Sequence, residues 1–214
     1  MSGRGLLPAL GGTALGSGFE RPALLGDREP AVRSIAARRG PLGPERDPLW
    51  DAMLSGEITE RGYWRARSEE IGAALGRPGW PITEFMHLLY SVTGEVVRPE
   101  AAALVADAKT AGLRVGALTN DLQAFHGGDG MTSDPFIAGL DALVDGSVIG
   151  VLKPDPRVHA IAAEALGLPP SAIVFVDDLP WNAAAAREAG MIGLLLDPAD
   201  PAEVFERTRK ELGL

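Results

Sequence analysis

Residues Lys153–Gly190 read KPDPRVHAIAAEALGLPPSAIVFVDDLPWNAAAAREAG, and this stretch decides the fold. A lysine at a turn comes first. VHAIAAEALG follows as a helix, with Val158, Ile161, Ala162, Ala165 and Leu166 at helical spacing on one apolar face and Pro169 and Pro170 as its stop. After Ser171, the apolar run AIVFV is short, rich in β-branched residues and suited to a strand buried on both faces. Asp177 and Asp178 stand where that strand ends. In parallel α/β sheets ligands bind at the carboxyl ends of strands, so two carboxylates fall on the functional edge.

The same alternation extends in both directions. PEAAALVADAKTAG is an amphipathic helix ended by Gly112, and LRVGALTN a strand ending in Thr119 and Asn120. FIAGLDALVDGSVIG is a passage from helix to strand, MIGLLLD a last strand, and AEVFERTRKELGL a closing helix. At the other end, RGLLPAL reads as a strand running into the glycine-rich GGTALGSG. Strands alternating with helices predict an α/β fold: a Rossmann-like parallel sheet flanked by helices. Between the first strand and the rest, DPLWDAMLSGEI, TERGYWRARSEEIGAAL and PITEFMHLLYSVTG are all helical in pattern, with Thr59 as a helix start, Pro81 in a first turn, and Tyr63 and Trp64 on a buried face. Asp47 and Asp51 read as helix-start residues. The expected organisation is a core of residues 1–17 plus 96–214 with a small all-helical domain over 18–95. Residues 18–47, biased to Arg, Pro and Gly, carry one helical candidate, AVRSIAARRG.

Composition narrows the function. The chain has 214 residues and a formal charge of −9, which argues against nucleic acid or an anionic membrane as the main partner. No apolar run approaches the roughly 20 residues of a membrane span. Pro8 and the Gly11-Gly12 pair break the first apolar run, a poor leader peptide, so a cytoplasmic protein is expected. The absence of cysteine rules out disulfides and thiolate metal sites, and three histidines leave little for a zinc site. Oligomeric state is not readable.

Three polar clusters thus fall at strand ends: Thr119-Asn120, Lys153 and Asp177-Asp178. In this the chain resembles the haloacid dehalogenase-like superfamily: ALTN resembles its second motif, VLKPDP its third, and VFVDDLPWNAAAAREAGM its fourth. The resemblance covers residues 98–200 and implies the inserted helical stretch is the family's cap. It also implies that Thr119 and Asn120 hold a phosphoryl group, Lys153 offsets its charge, and Asp177 and Asp178 bind Mg²⁺, a hard cation suited to carboxylates. Two plainer readings stay open. Asp178 precedes NAAAAREAG and could cap that helix, and Asn182 could brace the site. Asp121, His126 and Asp129 lie on the loop after the second motif, with His126 a candidate acid or base.

The family's hydrolases attack with an aspartate at the end of the first strand. Aligning RGLLPALGGTAL with that pattern places Ala9 at the nucleophile and Gly11 at the acid/base position, with Pro8 where an aromatic residue is usual. A second register uses PALLGDREPAV as the strand and offers Asp27 and Glu29; Ala9 could also be an engineered substitution. Two function classes follow from the resemblance. One is a Mg²⁺-dependent hydrolase of a small organic phosphate. The other is a diverged member, either a ligand-binding pseudoenzyme or an enzyme that ionises a diphosphate ester with Mg²⁺, as a few terpene cyclases resembling this superfamily do.

Overall fold

The computed structural model describes residues 3–91, 97–128, 131 and 133–214. In chain order the elements are β1 Gly5–Pro8; α1 Arg21–Arg28, α2 Arg33–Ala36, α3 Pro48–Leu54, α4 Glu60–Ala74 and α5 Ile82–Ser91; α6 Pro99–Thr110; β2 Arg114–Thr119; α7 Leu122–His126; α8 Pro135–Ala138; β3 Ala142–Asp145; α9 Gly146–Ile149; α10 Pro156–Leu166; β4 Ile173–Asp177; α11 Pro180–Glu188; β5 Ile192–Leu195; and α12 Pro201–Leu212. The chain divides into two compact units, Met1–Gly16 with Val97–Leu214, and Ser17–Val96.

The first unit is a five-stranded parallel sheet in the order β3-β2-β1-β4-β5, flanked by helices. Every residue of β4 is buried, as its unbroken apolar run requires in a sheet covered on both faces. Leu7, Leu118, Val144, Ile173 and Phe175 share one core with Val158, Ala162, Ala163 and Leu166 of α10. That helix presents a face rotated from the expected one: His159 and Ala163 are buried, while Ile161 is only half-buried and Ala165 exposed. It also ends earlier, on left-handed Gly167 (φ 67°), with the two prolines beyond the stop.

β1 is central yet ends in proline, which lacks a donor for the ladder. Ala9 N donates to Val176 O at 2.8 Å, so the position before it, Pro8, turns its missing N–H toward β2. Pairing with β2 stops at Leu6↔Val115, and the ring therefore interrupts no bond. From β1 the chain builds β2 and β3 on one side, then crosses to β4 and β5 on the other. The sheet's switch point lies between β1 and β4, where the crevice outside the carboxyl ends is expected.

The second unit carries only helices and short turns among its described residues. Its centre is Asp47, the N-cap of α3. One carboxylate oxygen accepts from Leu49 N, Trp50 N and Arg67 Nη2, and the other from Gly40 N and Tyr63 Oη. Phe19, Trp50, Tyr63 and Trp64 cluster around it, with ring centroids 5.0–5.3 Å apart. Burial raises the Asp47 pKa, but the Gly40 amide, Tyr63 and Arg67 outweigh it and hold the carboxyl below its ordinary value. Thr59 caps α4 through Gly62 N, as its position before that helix predicts.

The alternative first-motif register fails here. PALL is part of α1, not a strand, and Asp27 is an exposed helical residue. A run of four apolar residues suits either structure, and Pro22 in the first helical turn favours the helix.

Candidate functional site

The carboxyl edge of the sheet gathers Ala9, Thr119, Asn120, Lys153, Asp177 and Asp178. Thr119 closes β2 and is 7% exposed, in register with Asp145 of β3. Asn120, one residue on, acts on Lys153 through the backbone: its Oδ1 accepts from Lys153 N (2.7 Å) and its Nδ2 donates to Lys153 O (3.2 Å). Two opposed amide bonds fix the lysine peptide against the end of β2. The side chain then runs inward, and its Nζ reaches Asp177 Oδ2 at 2.6 Å and stands 5.7 Å from the Phe175 ring centroid.

Asp177 is almost wholly committed within the protein. Its Oδ1 accepts from Leu179 N (2.9 Å) and Asn182 Nδ2 (3.0 Å), and its Oδ2 from Lys153. The side chain is 1% exposed. Asp177 accepts the N–H of Leu179, the N-cap residue at the entry to α11. Asn182 of that helix is the brace.

Asp178 is half-buried and lies against the turn after β1. Gly11 (φ −58°, ψ 131°) and Gly12 (φ 82°, ψ −23°) form the centre of a type II turn, whose second central position requires positive φ. A Cβ on Gly12 would overlap the Asp178 carboxylate. The glycine pair therefore serves two needs at once, the turn and room for Asp178. Arg98, where the chain re-enters the first unit, steadies the turn: its backbone N donates to Ala14 O (2.9 Å) and its Nη2 to Gly12 O (3.4 Å). Sequence reasoning passed over both. Gly12 is visible as the glycine of GGT, but Arg98 sits at the edge of a helix with nothing local to mark it.

The loop residues separate. Asp121 is buried ahead of α7, His126 ends α7 half-buried, and Asp129 lies outside the described residues. Asp145 is structural: it takes the amides of Gln123 and Ser147 and the Ser147 hydroxyl.

As a metal site the edge is sparse. Mg²⁺ takes carboxylate, ligand and water oxygens in an octahedron. Asp177 offers lone pairs already facing three donors, Ala9 offers none, and the Asp178 carboxylate lies against the turn at Gly12. No group of three His, Asp or Glu side chains that could hold a metal ion occurs among the described residues. The donors fit Mg²⁺ only where ligand oxygens and water complete the shell.

A family model, "haloacid dehalogenase-like hydrolase", matches residues 48–190; β1 and its turn lie outside that match. Acyl-CoA dehydrogenase family member 10 of Mus musculus is 28% identical over 169 residues, 77% of this chain and 15% of that protein. Phosphatase MT3486 of Mycobacterium tuberculosis is 33% identical over 99 residues, 46% of each. The chain thus spans less than half the length of these two curated relatives. Among solved structures, an L-2-haloacid dehalogenase superposes with a TM-score of 0.61 at 19% identity, covering 100% of both chains. A HAD family enzyme of Bacteroides thetaiotaomicron, an aspartate-to-alanine mutant in complex with magnesium and inorganic phosphate, gives 0.55 at 17% identity, covering 91% of this chain and 94% of that one. Sheet order, strand-end residues and a family match across two thirds of the sequence agree, and the chain belongs to the haloacid dehalogenase-like hydrolase family.

Proposed function

We propose that this protein binds a small phosphorylated molecule at the carboxyl edge of its sheet, with Mg²⁺ recruited weakly through Asp178, and does not hydrolyse it by carboxylate attack. The observation that carries this reading is the end of β1. From Arg4 to Phe19 the chain has no acidic residue, and Ala9, bonded to Val176 O beside Asp177, presents only a methyl group. A methyl group neither attacks phosphorus nor binds a metal. The anion-holding side of the site is complete: Thr119 has a hydroxyl to donate, and Lys153 is a cation held in place by Asn120 and Asp177. Bound Mg²⁺ would add charge stabilisation at a phosphate oxygen. The relative of Bacteroides thetaiotaomicron supports the reading by analogy, since an aspartate-to-alanine enzyme there holds magnesium and phosphate. The helical unit takes the part of the family's cap, and the charge of −9 argues against nucleic acid as a partner.

Calorimetry with inorganic phosphate and Mg²⁺, run beside aryl phosphate hydrolysis, tests this. The expected outcome is measurable phosphate binding that Lys153→Met abolishes, no turnover by the chain as it stands, and slow turnover in Ala9→Asp. Turnover by the chain as it stands would overturn the reading, as would phosphate binding unchanged in Lys153→Met.

A further inference from the structure

His159 is a polar residue in a place built for an apolar one. It lies near the start of α10, 0% exposed, and both Nδ1 and Nε2 are buried without a hydrogen bond of normal geometry, the Asp155 backbone one turn back being the polar group within reach. Its ring stands edge-on to Phe175, centroids 5.4 Å apart and planes at 85°. The same Phe175 ring lies under Lys153 Nζ. Three side chains are thereby stacked from helix to site: His159, Phe175, Lys153, with Asp177 beyond.

A buried donor or acceptor left unpaired costs stability that a phenyl ring of the same shape would not. The charged form is worse off. Burial first, and then the charge of Lys153, push the His159 pKa below its ordinary value, against the weaker pull of the Asp177 charge, the Asp155 backbone and the Asp155 charge. Other charged groups on the elements packed against α10 are engaged elsewhere or exposed. Arg114 of β2 pairs with Asp141, Asp145 of β3 serves Ser147 and Gln123, and Arg187 of α11 donates to Gly193 O while Glu188 is exposed. No carboxylate is bonded to the imidazole to receive its proton.

We propose that His159 is an acid-sensitive latch beneath the Lys153–Asp177 pair: neutral, it packs α10 onto Phe175 of β4, and protonated, it forces that contact open and releases the lysine. The sign follows from linkage. In the opened state the ring takes a proton near the ordinary histidine value of about 6.5, whereas in the closed state it stays neutral. Closure is therefore fully favoured above that pH and loses about tenfold in its equilibrium constant per unit below it.

Hydrogen exchange of residues 156–166 and 173–177 in wild type, His159→Phe and His159→Gln, with ring-proton NMR of the wild type, tests the latch without any ligand. The quantity read is each protein's own change between pH 7.5 and 5.5, since the variants differ from wild type in stability at any pH. Over that range the wild type should lose about tenfold in protection while both variants hold theirs, and its His159 ring signal should show no titration in the closed protein at or above pH 6.5. Equal acid loss in wild type and the variants would overturn the proposal, and so would a His159 ring titrating at its ordinary value with protection intact. If the Phe variant does not fold, the Gln variant carries the comparison, and the wild-type ring titration decides by itself.

Discussion

Each unit of this protein contains a buried ion pair, Arg67–Asp47 in the helical unit and Lys153–Asp177 in the sheet unit, and the two pairs are finished differently. In the first, both side chains are 1% exposed or less, and Asp47 collects three backbone amides and a tyrosine hydroxyl besides the guanidinium. Arg67 adds a second carboxylate, Glu70. The pair holds α3, α4 and the turn at Gly40 together, and of the guanidinium nitrogens Nε alone is buried without a partner. In the second, Asp177 is saturated, but the lysine's partners are the one carboxylate and the face of an aromatic ring. Thr119 and Asp178 stand at the same strand edge. One pair is an end in itself; the other lies at the carboxyl edge of a sheet.

The largest difference should appear in stability. Asp47→Ala leaves a buried guanidinium with its main partner gone and removes the cap of α3. Breaking a buried pair costs about 3–5 kcal/mol, and a lost cap about 1 more. Lys153→Met strands a carboxylate that keeps Leu179 N and Asn182 Nδ2, so its cost should fall below that range, at roughly 2–3 kcal/mol. Urea denaturation of both variants checks the order. A larger loss in Lys153→Met than in Asp47→Ala would break the comparison, because it would make the site pair the main architectural one.

A smaller effect is expected where the open site leans on backbone geometry. Gly12→Ala places a side chain at φ 82° and into the Asp178 carboxylate. Positive φ alone costs an L-residue about 1–2 kcal/mol. The displaced carboxylate should in addition weaken any Mg²⁺ dependence of phosphate binding while leaving metal-free binding through Lys153 in place. Calorimetry with and without Mg²⁺ separates these; equal Mg²⁺ dependence in wild type and Gly12→Ala would remove Asp178 from metal binding.

The contrast also explains what was legible in the sequence. The sheet is readable because AIVFV, LRVGALT and IGLLL announce buried strands with little help from tertiary contacts. The site is readable in part: Thr119-Asn120 and Asp177-Asp178 follow such runs directly, whereas Lys153, expected at a strand end, lies beyond β3 and α9 and is held at the sheet edge by the Asn120 side chain. Which of two adjacent aspartates meets the lysine is not readable, since it depends on which way the last strand residue points, and successive strand residues face opposite ways. The Asp47 hub is invisible for a different reason. Its partners Tyr63 and Arg67 lie 16 and 20 residues away, and only the packing of α4 against α3 brings them round. From the sequence, Asp47 is one more aspartate before a proline. His159 escaped because a helix of small residues leaves the choice of buried face open by one position, and that one position turns an exposed histidine into a buried one.

The smallest expected effect is a difference in how the two units answer pH. Asp47 has its pKa lowered in the folded state, so the stability it contributes is present above its unfolded value near 3.8 and is lost as pH falls through the folded value. Tyr63, raised by burial first and by Asp47 in addition, is the opposite case. Its folded form keeps a proton that the unfolded chain would release, so stability is intact below about pH 10 and declines above it. Between roughly pH 4 and 10 the helical unit's hub therefore changes no charge. The sheet unit should weaken inside that window, from about pH 6.5 downward, by the single proton that the opened His159 takes up, at most about 1.4 kcal/mol per pH unit. Segment-resolved hydrogen exchange at pH 7.5, 6.5 and 5.5 reads both units in one experiment. Residues 60–74 should hold their protection while residues 156–166 lose theirs. Loss in both segments together would mean that they open as one cooperative body, and the contrast between a closed pair and an open one would then have no consequence for stability between pH 5.5 and 7.5.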